Sequence, residues 1–253
     1  MFIIRIILSF LRKKEFIKLN NFGKHIYYYD SNKKHVFRLF APRSIDKVTC
    51  DEIFQEYIYN LKGLNRYDEL MGVYNNQLKQ GRVPYILDLG SNIGCAAYQF
   101  NKMFPDALID MIEPDVLNNQ VAKLNCSTEN FKIRTAAIGP RKGVCRITNL
   151  DSDSNAFQID YHEKGLIPVL TVHELIQSNK LYAPFICKID IEGFESKLFS
   201  SNFSWVKQFP LIILESHDWL YPKKHLSRNF LKAINEHSRD LIVNKSIIFS
   251  LLN

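Results

Sequence analysis

The stretch Tyr85-Ile-Leu-Asp-Leu-Gly-Ser-Asn-Ile-Gly94 constrains the fold more than any other part of the chain. An apolar run ends around Asp88, Gly90 follows, and Gly94 opens a segment with helical spacing. That is the pattern of a buried parallel strand turning sharply into a helix, with backbone laid bare for a ligand. The glycines fall as G-x-x-x-G and lack the G-x-G-x-x-G rhythm of a dinucleotide site. A carboxylate at Asp88 would repel a pyrophosphate, whereas a cationic, amino-acid-like ligand would welcome it. A tight turn without a ligand is the plainer alternative.

The pattern then repeats. The sequence predicts strands over Tyr85–Leu89, Leu108–Ile112, Phe131–Ile138, Phe185–Ile189 and Leu211–Leu214, with helices over Cys95–Met103, Val116–Asn125, His173–Ser178 and Phe194–Ser200 between them. Shorter β-like pieces fall at Val144–Thr148 and Pro168–Thr171. Repeated β-then-α units imply an α/β fold with a doubly wound, mostly parallel sheet. Ligands of such sheets bind beyond the carboxyl ends of the strands, where the strand order reverses. Four of those ends or their flanks carry acids: Asp88, Glu113, Asp190 and Glu215. Upstream, residues 15–48 alternate aromatics with Lys and His and predict a β-hairpin-like preface. Thr49 with Glu52 has the spacing of a capping box, so a helix is predicted to begin there. A second helix is predicted through Leu70–Leu78.

Charge narrows the partners. The net charge of +7 is concentrated in residues 1–47, where eleven Lys/Arg face only Glu15, Asp30 and Asp46. The rest of the chain is near neutral, which argues against a nucleic-acid binder. Met1–Leu11 is apolar apart from Arg5 and Ser9 and is followed by Arg12-Lys13-Lys14. It is too short to span a bilayer, and its charges follow the apolar run, unlike a signal peptide. Residues 1–14 therefore read either as a basic amphipathic helix lying on a membrane surface or as a terminal helix packed on the core. Five scattered cysteines with no C-x-x-C suit a reducing, cytoplasmic setting, with peripheral contact at the membrane inner face if the helix binds lipid. The chain divides into 1–14, an extension over 15–82, and a main domain over 83–253.

At this point the chain resembles the FkbM family of S-adenosylmethionine-dependent methyltransferases. The matching pieces are Asp88-Leu-Gly-Ser-Asn-Ile-Gly94, Ile112-Glu-Pro114, Ala136-Ala-Ile-Gly139, Lys188-Ile-Asp-Ile-Glu-Gly-Phe-Glu195 and Ile213-Leu-Glu-Ser-His217. They come in the family's order and span roughly residues 83–219. Ser91 stands where the family more often has Ala, and His173 where it more often has Asp. The resemblance implies a Rossmann-like class I methyltransferase sheet of seven strands. It implies S-adenosylmethionine as cofactor, with Gly90 and Gly94 bringing backbone to its methionine part and Asp88 and Asn92 as polar contacts. Glu113 would accept hydrogen bonds from both ribose hydroxyls, and Ala137 with Ala136 would leave flat space beside the adenine.

Methyl transfer to an alcohol also needs a group to take the hydroxyl proton. Asp190 and His217 are the candidates for that base, with Glu215 shaping the field around them. Carboxylates converging on one rim repel unless they share a proton or a cation, so a Mg²⁺ held by Asp190, Glu215 and water is one solution. His162 and the Asp151–Asn155 stretch fall in an insertion that would cover the acceptor. The acceptor class that the resemblance implies is a hydroxyl of a sugar, glycan precursor or related small molecule, and a lipid-linked glycan would suit the basic N-terminus. An RNA 2′-O-methyltransferase using Lys188, Asp190 and Glu215 is the alternative enzyme, and an NAD-binding oxidoreductase lacks its glycine motif.

Overall fold

The apolar runs that lead to the acids lie side by side as neighbouring strands. The structure, a computed structural model, describes residues 14–149, 153 and 156–253. The amphipathic segment expected over 1–14 therefore lies outside the described residues except for Lys14, as do Asp151, Ser152, Ser154 and Asn155 of the insertion.

The chain opens with a three-stranded antiparallel sheet of β1 (Phe16–Phe22), β2 (His25–Asp30) and β3 (His35–Phe40). This is the β preface expected from the aromatic alternation, with one strand more than a hairpin. The first helix, α1, runs Ser44–Phe54 and not from Thr49. Its first turn is closed by Asp46, whose Oδ2 accepts the Arg43 backbone N–H at 2.9 Å. The Thr49 hydroxyl instead donates to the Ile45 carbonyl, one turn back, the usual outlet for a mid-helix threonine. Helix α2 spans Tyr67–Lys79.

From there the predicted alternation holds. The elements are β4 (Val83–Leu89), α3 (Cys95–Met103), β5 (Leu108–Glu113), α4 (Val116–Asn125) and β6 (Phe131–Thr135). The long strand expected over Phe131–Ile138 breaks after Thr135. Its last part is a separate strand, β7 (Ala137–Ile138), in a small second sheet with β8 (Gly143–Ile147), β9 (Ile159–Tyr161) and β10 (Ile167–Leu170). Helix α5 (Val172–Gln177) follows, capped by Thr171 with Glu174. Then come β11 (Tyr182–Ile189), α6 (Glu195–Leu198), β12 (Leu211–Glu215), α7 (Arg228–Asn235), β13 (Arg239–Asn244) and β14 (Ile247–Leu252). The last three elements carried no sequence signal that predicted them.

The main sheet has seven strands in the order β13-β14-β12-β11-β4-β5-β6. Pairings from β12 through β6 are parallel, and β14 is antiparallel to both of its neighbours. Numbered by their order within this sheet, the strands run 3-2-1-4-5-7-6 with only the seventh reversed. This is the Rossmann-like, doubly wound and mostly parallel seven-stranded sheet that was expected. Its two faces are both covered, which is why its strands read as nearly unbroken apolar runs. Ile86, Ile109, Met111, Ile186, Leu211 and Ile213 share one core with β1–β3, α1 and α3. Leu87, Leu89, Ile112, Cys187, Ile189 and Ile212 face the other way, into a second core under α5 and α7. The extension over 15–82 is thus packed onto one face of the sheet.

Strand order reverses at β4, which is flanked by β5 on one side and by β11 on the other. The crevice beyond these strand ends is where a ligand belongs.

Candidate functional site

A cavity of about 310 Å³ opens at that reversal point. Its floor is the turn after β4. Gly90 has φ +78°, and a Cβ there would stand 1.7 Å from the Asp190 carbonyl oxygen, so only glycine lets β4 and β11 close up at their ends. Asn92 also sits in the left-handed region, at φ +48°, which Asn tolerates better than most residues. Its Oδ1 and the Ser91 Oγ are buried without protein partners, and both residues line the cavity. They are ready acceptors for a bound ligand's donors.

Glu113, at the end of β5, forms the next wall. Its Oε2 accepts the Asn92 N–H at 2.9 Å, and its Oε1 accepts the Asp115 N–H at 3.0 Å and the Asn118 amide at 3.2 Å. Three of the roughly four acceptor positions of a carboxylate are thus filled. Oε2 retains room for one ligand hydroxyl, and a second would have to displace Asn118. Burial drives the Glu113 carboxyl up to about 7, against the pull of the Asp115 and Asn92 N–H groups and of Asn118. Ala136 and Ala137 continue the wall with small, buried side chains.

The opposite wall carries Lys188, Asp190 and Glu192 of the Lys188–Glu195 block, and Glu195 is buried behind them. Lys188 stands level with Asp88 on the adjacent strand. Its Nζ lies 3.0 Å from Asp88 Oδ1 and 3.3 Å from Asp190 Oδ2, and donates to the Gly90 carbonyl at 2.8 Å. Burial favours loss of the ammonium proton, but Asp88, Tyr59 and Asp190 outweigh it and hold Lys188 charged. Asp88 is fully buried and off the cavity wall, so its contact with a ligand is indirect, through Lys188 and the turn. Gly94 is likewise off the wall. A Cβ there would meet Cys126 Sγ at 2.8 Å and Met111 Cε at 3.0 Å, so it serves close packing of α3.

His217 is the hub of the acids. Its Nδ1 is 2.9 Å from Glu195 Oε1, and its Nε2 is 3.4 Å from Glu192 Oε2 and 3.8 Å from Asp190 Oδ1. Burial works against its charge, yet Glu195, Asp190 and Glu192 raise it to about 10. At neutral pH it is an imidazolium, a proton donor in the resting site. Burial and then Asp190 raise Glu192 to about 8 and Glu215 to about 7. Glu192 is held at φ +52°, a conformation rare for such a residue and characteristic of sites where geometry matters.

The Asp190–Glu215 pair expected to hold Mg²⁺ is not part of the three-residue grouping of ligand atoms found among the described residues. Glu215 accepts a hydrogen bond from Ser246 Oγ at 3.1 Å. The group whose ligand atoms lie within 4.8 Å of one another is instead Asp190, Glu192 and His217. An imidazole is foreign to the all-oxygen shell of Mg²⁺. The carboxylate repulsion that called for a cation is met by Lys188 and His217, so the donor set does not fit Mg²⁺.

The N-terminal extension supplies lining residues that no motif announced: Thr49, Glu52, Ile53, Ile58 and Tyr59. It also reaches the Glu113 wall, because Arg43 Nη2 donates to Asn118 Oδ1 at 2.7 Å. From the insertion, Ala156, Phe157 and Ile159 line the cavity. His162 does not; its ring nitrogen accepts the Lys164 N–H within a local turn. His173 pairs with Ser204 at 3.0 Å, also off the cavity wall.

No family model matches the chain, and no curated protein sequence matches it. Among solved structures it is similar to the bifunctional kinase-methyltransferase WbdD, at 13% identity over 75% of this chain and 39% of that one, with a TM-score of 0.40. It is also similar to a precorrin-6y C5,15-methyltransferase from Geobacter metallireducens, at 9% identity over 72% of this chain and 84% of that one (TM-score 0.37). A third is the METTL16 methyltransferase domain, at 12% identity over 89% and 85% of the two chains (TM-score 0.40). Likeness at this level bears on neither substrate nor reaction. Among the described residues no helix is long and apolar enough to cross a membrane.

The state of Glu113 sets a pH dependence. A carboxyl raised from its ordinary value to about 7 is protonated in the free site below that pH. A ligand hydroxyl donating to it favours the ionised form, so binding releases a proton there. The affinity of a ligand that donates a hydroxyl to Glu113 is expected to rise about ten-fold per pH unit below 7 and to level off above 8. Glu113→Gln should flatten this profile. Calorimetry in buffers of different ionisation enthalpy measures the released proton, and a pH-independent Kd with no proton release would refute the assignment.

Proposed function

We propose that the protein is an S-adenosylmethionine-dependent O-methyltransferase of the FkbM type, acting on a hydroxyl of a sugar in a glycan, glycan precursor or related small molecule. One observation carries the reading. A single cavity at the reversal point has Glu113 and the Gly90 turn on one side and the Asp190, Glu215 and His217 cluster on the other. A cofactor with a ribose and a cationic amino-acid end fits the first side. Unpartnered acceptors on Asn92 and Ser91 suit an ammonium group, and Glu113 has room for a hydroxyl.

The bound cofactor would supply an electrophilic methyl group on a sulfonium and its own leaving group. The protein's part is to orient and to move a proton. In this reading Asp190 or Glu215 would take the proton of the acceptor hydroxyl as that hydroxyl is methylated. Glu215, at about 7, is matched to neutral pH for that task. His217, protonated, holds the acids in place and donates to an acceptor oxygen. Carboxylates with spare acceptor positions suit the hydroxyls of a sugar. Among the lining residues Lys188 is the one Lys or Arg, and it is already engaged. The near-neutral charge balance of the chain beyond residue 47 weighs against RNA.

Calorimetry with S-adenosylhomocysteine and with NAD tests the cofactor class. Micromolar binding of the first and none of the second is expected, and the reverse would replace the reading by a dehydrogenase. Mass spectrometry of glycans from cells with and without the gene tests the acceptor. A missing 14-Da increment (one CH₂, about 14 Da per methylation) supports it, and an unchanged profile redirects the search to other hydroxyls.

A further inference from the structure

The mouth of the cavity has an apolar rim. Trp219 and Leu220, in the loop after β12, line the opening and are themselves 68% and 43% exposed. An acid-lined cavity therefore opens beside bare hydrophobic groups of the loop after β12. Exposed apolar surface gathered around a functional opening marks an interaction site.

Charge says what covers it. Lys223 and Lys224 follow Trp219 in the same exposed loop. The acid of that loop, Asp218, is turned inward: its Oδ1 accepts the Leu226 N–H at 2.6 Å and its Oδ2 accepts the Ser227 hydroxyl. It stays ionised and offsets one of the two lysines, which leaves the loop cationic. Trp with adjacent Lys is the composition of a bilayer interface, the indole at headgroup depth and the ammonium groups among anionic phosphates. A protein seated on this rim would close the cavity, whereas a bilayer presents headgroup-borne acceptors to it.

We infer that the cavity rim docks on an anionic lipid surface through Trp219 and Leu220, with Lys223 and Lys224 supplying the charge attraction. This contact uses no residue of 1–14 and does not depend on the methyl-transfer reading.

The chain has two tryptophans, and Trp205 is buried in the core at 2% exposure, so fluorescence reports Trp219 selectively. With the full chain, phosphatidylglycerol-containing vesicles should shift emission to the blue and carry protein into the pellet, and pure phosphatidylcholine vesicles should do neither. Trp219→Phe should abolish the shift, and Lys223→Gln with Lys224→Gln should weaken partitioning about ten-fold. Pelleting without a shift would place the contact elsewhere and overturn the proposal, as would no pelleting at all. S-adenosylhomocysteine binding measured on the same samples keeps the two readings apart, since its failure would strike the cofactor site and leave the rim untouched.

Discussion

Glu113→Ala is expected to weaken S-adenosylhomocysteine binding by about 100-fold, roughly 2.7 kcal/mol, while the protein stays folded. Part of the loss is a charge-assisted hydrogen bond to a ribose hydroxyl. The rest comes from the loop, because Glu113 holds the Asn92 and Asp115 N–H groups in place. Stability should change little, since burial raises the Glu113 carboxyl to about 7, so that it costs the free protein stability as pH rises from its ordinary value to 7, and removing that cost offsets the lost hydrogen bonds. Calorimetry and thermal unfolding on the same sample separate the two effects. Binding within two-fold of the unsubstituted protein would remove Glu113 from the cofactor site.

Gly90→Ala should act through the backbone and cost more. The left-handed φ of +78° charges any Cβ about 1 kcal/mol. The close approach to the Asp190 carbonyl adds about 3 kcal/mol of overpacking, because the obstacle is backbone. That carbonyl cannot retreat freely, since the Asp190 N–H is bonded to the Leu89 carbonyl at 3.0 Å. A fall in Tm of about 10 °C and loss of measurable cofactor binding are expected. Gly72→Ala is the control: Gly72 lies inside α2 with nothing within 4 Å of its would-be Cβ. It should raise stability by about 0.5–1 kcal/mol. Equal effects of the two substitutions would disprove the steric account.

The central strands and their following helices were legible because buried parallel strands and amphipathic helices write different periods into the chain. Helices Cys95–Met103 and Val116–Asn125 were predicted residue for residue. The end of the sheet was not, because β13 is half exposed and its apolar residues Leu241 and Val243 face solvent. At the site, the acids near the strand ends were legible from spacing alone. The depth of Asp88 was not, since the charge that buries it, Lys188, stands 100 residues away in sequence and meets it only through strand pairing. The same holds for α1. Its start was read at Thr49 from local chemistry, whereas Asp46 and the packing of Ile53 and Phe54 set it a turn earlier. The lining contributed by Thr49 and Tyr59 had no motif because it is supplied by position in space.

The Lys188–Asp88 pair also bears on how the sheet finds its alignment. Parallel strands β4 and β11 are rich in interchangeable aliphatic residues and even contain a register irregularity between Pro184 and Ile186. Side chains alternate faces along a strand, so a slip of β11 by one residue would turn Lys188 from Asp88 into the apolar layer of Leu87, Leu89 and Ile212. An unpaired ammonium there would cost several kcal/mol. One buried charge pair thus acts as a key that rejects misaligned sheets during folding, and the pocket mouth is assembled in the only alignment that the pair accepts.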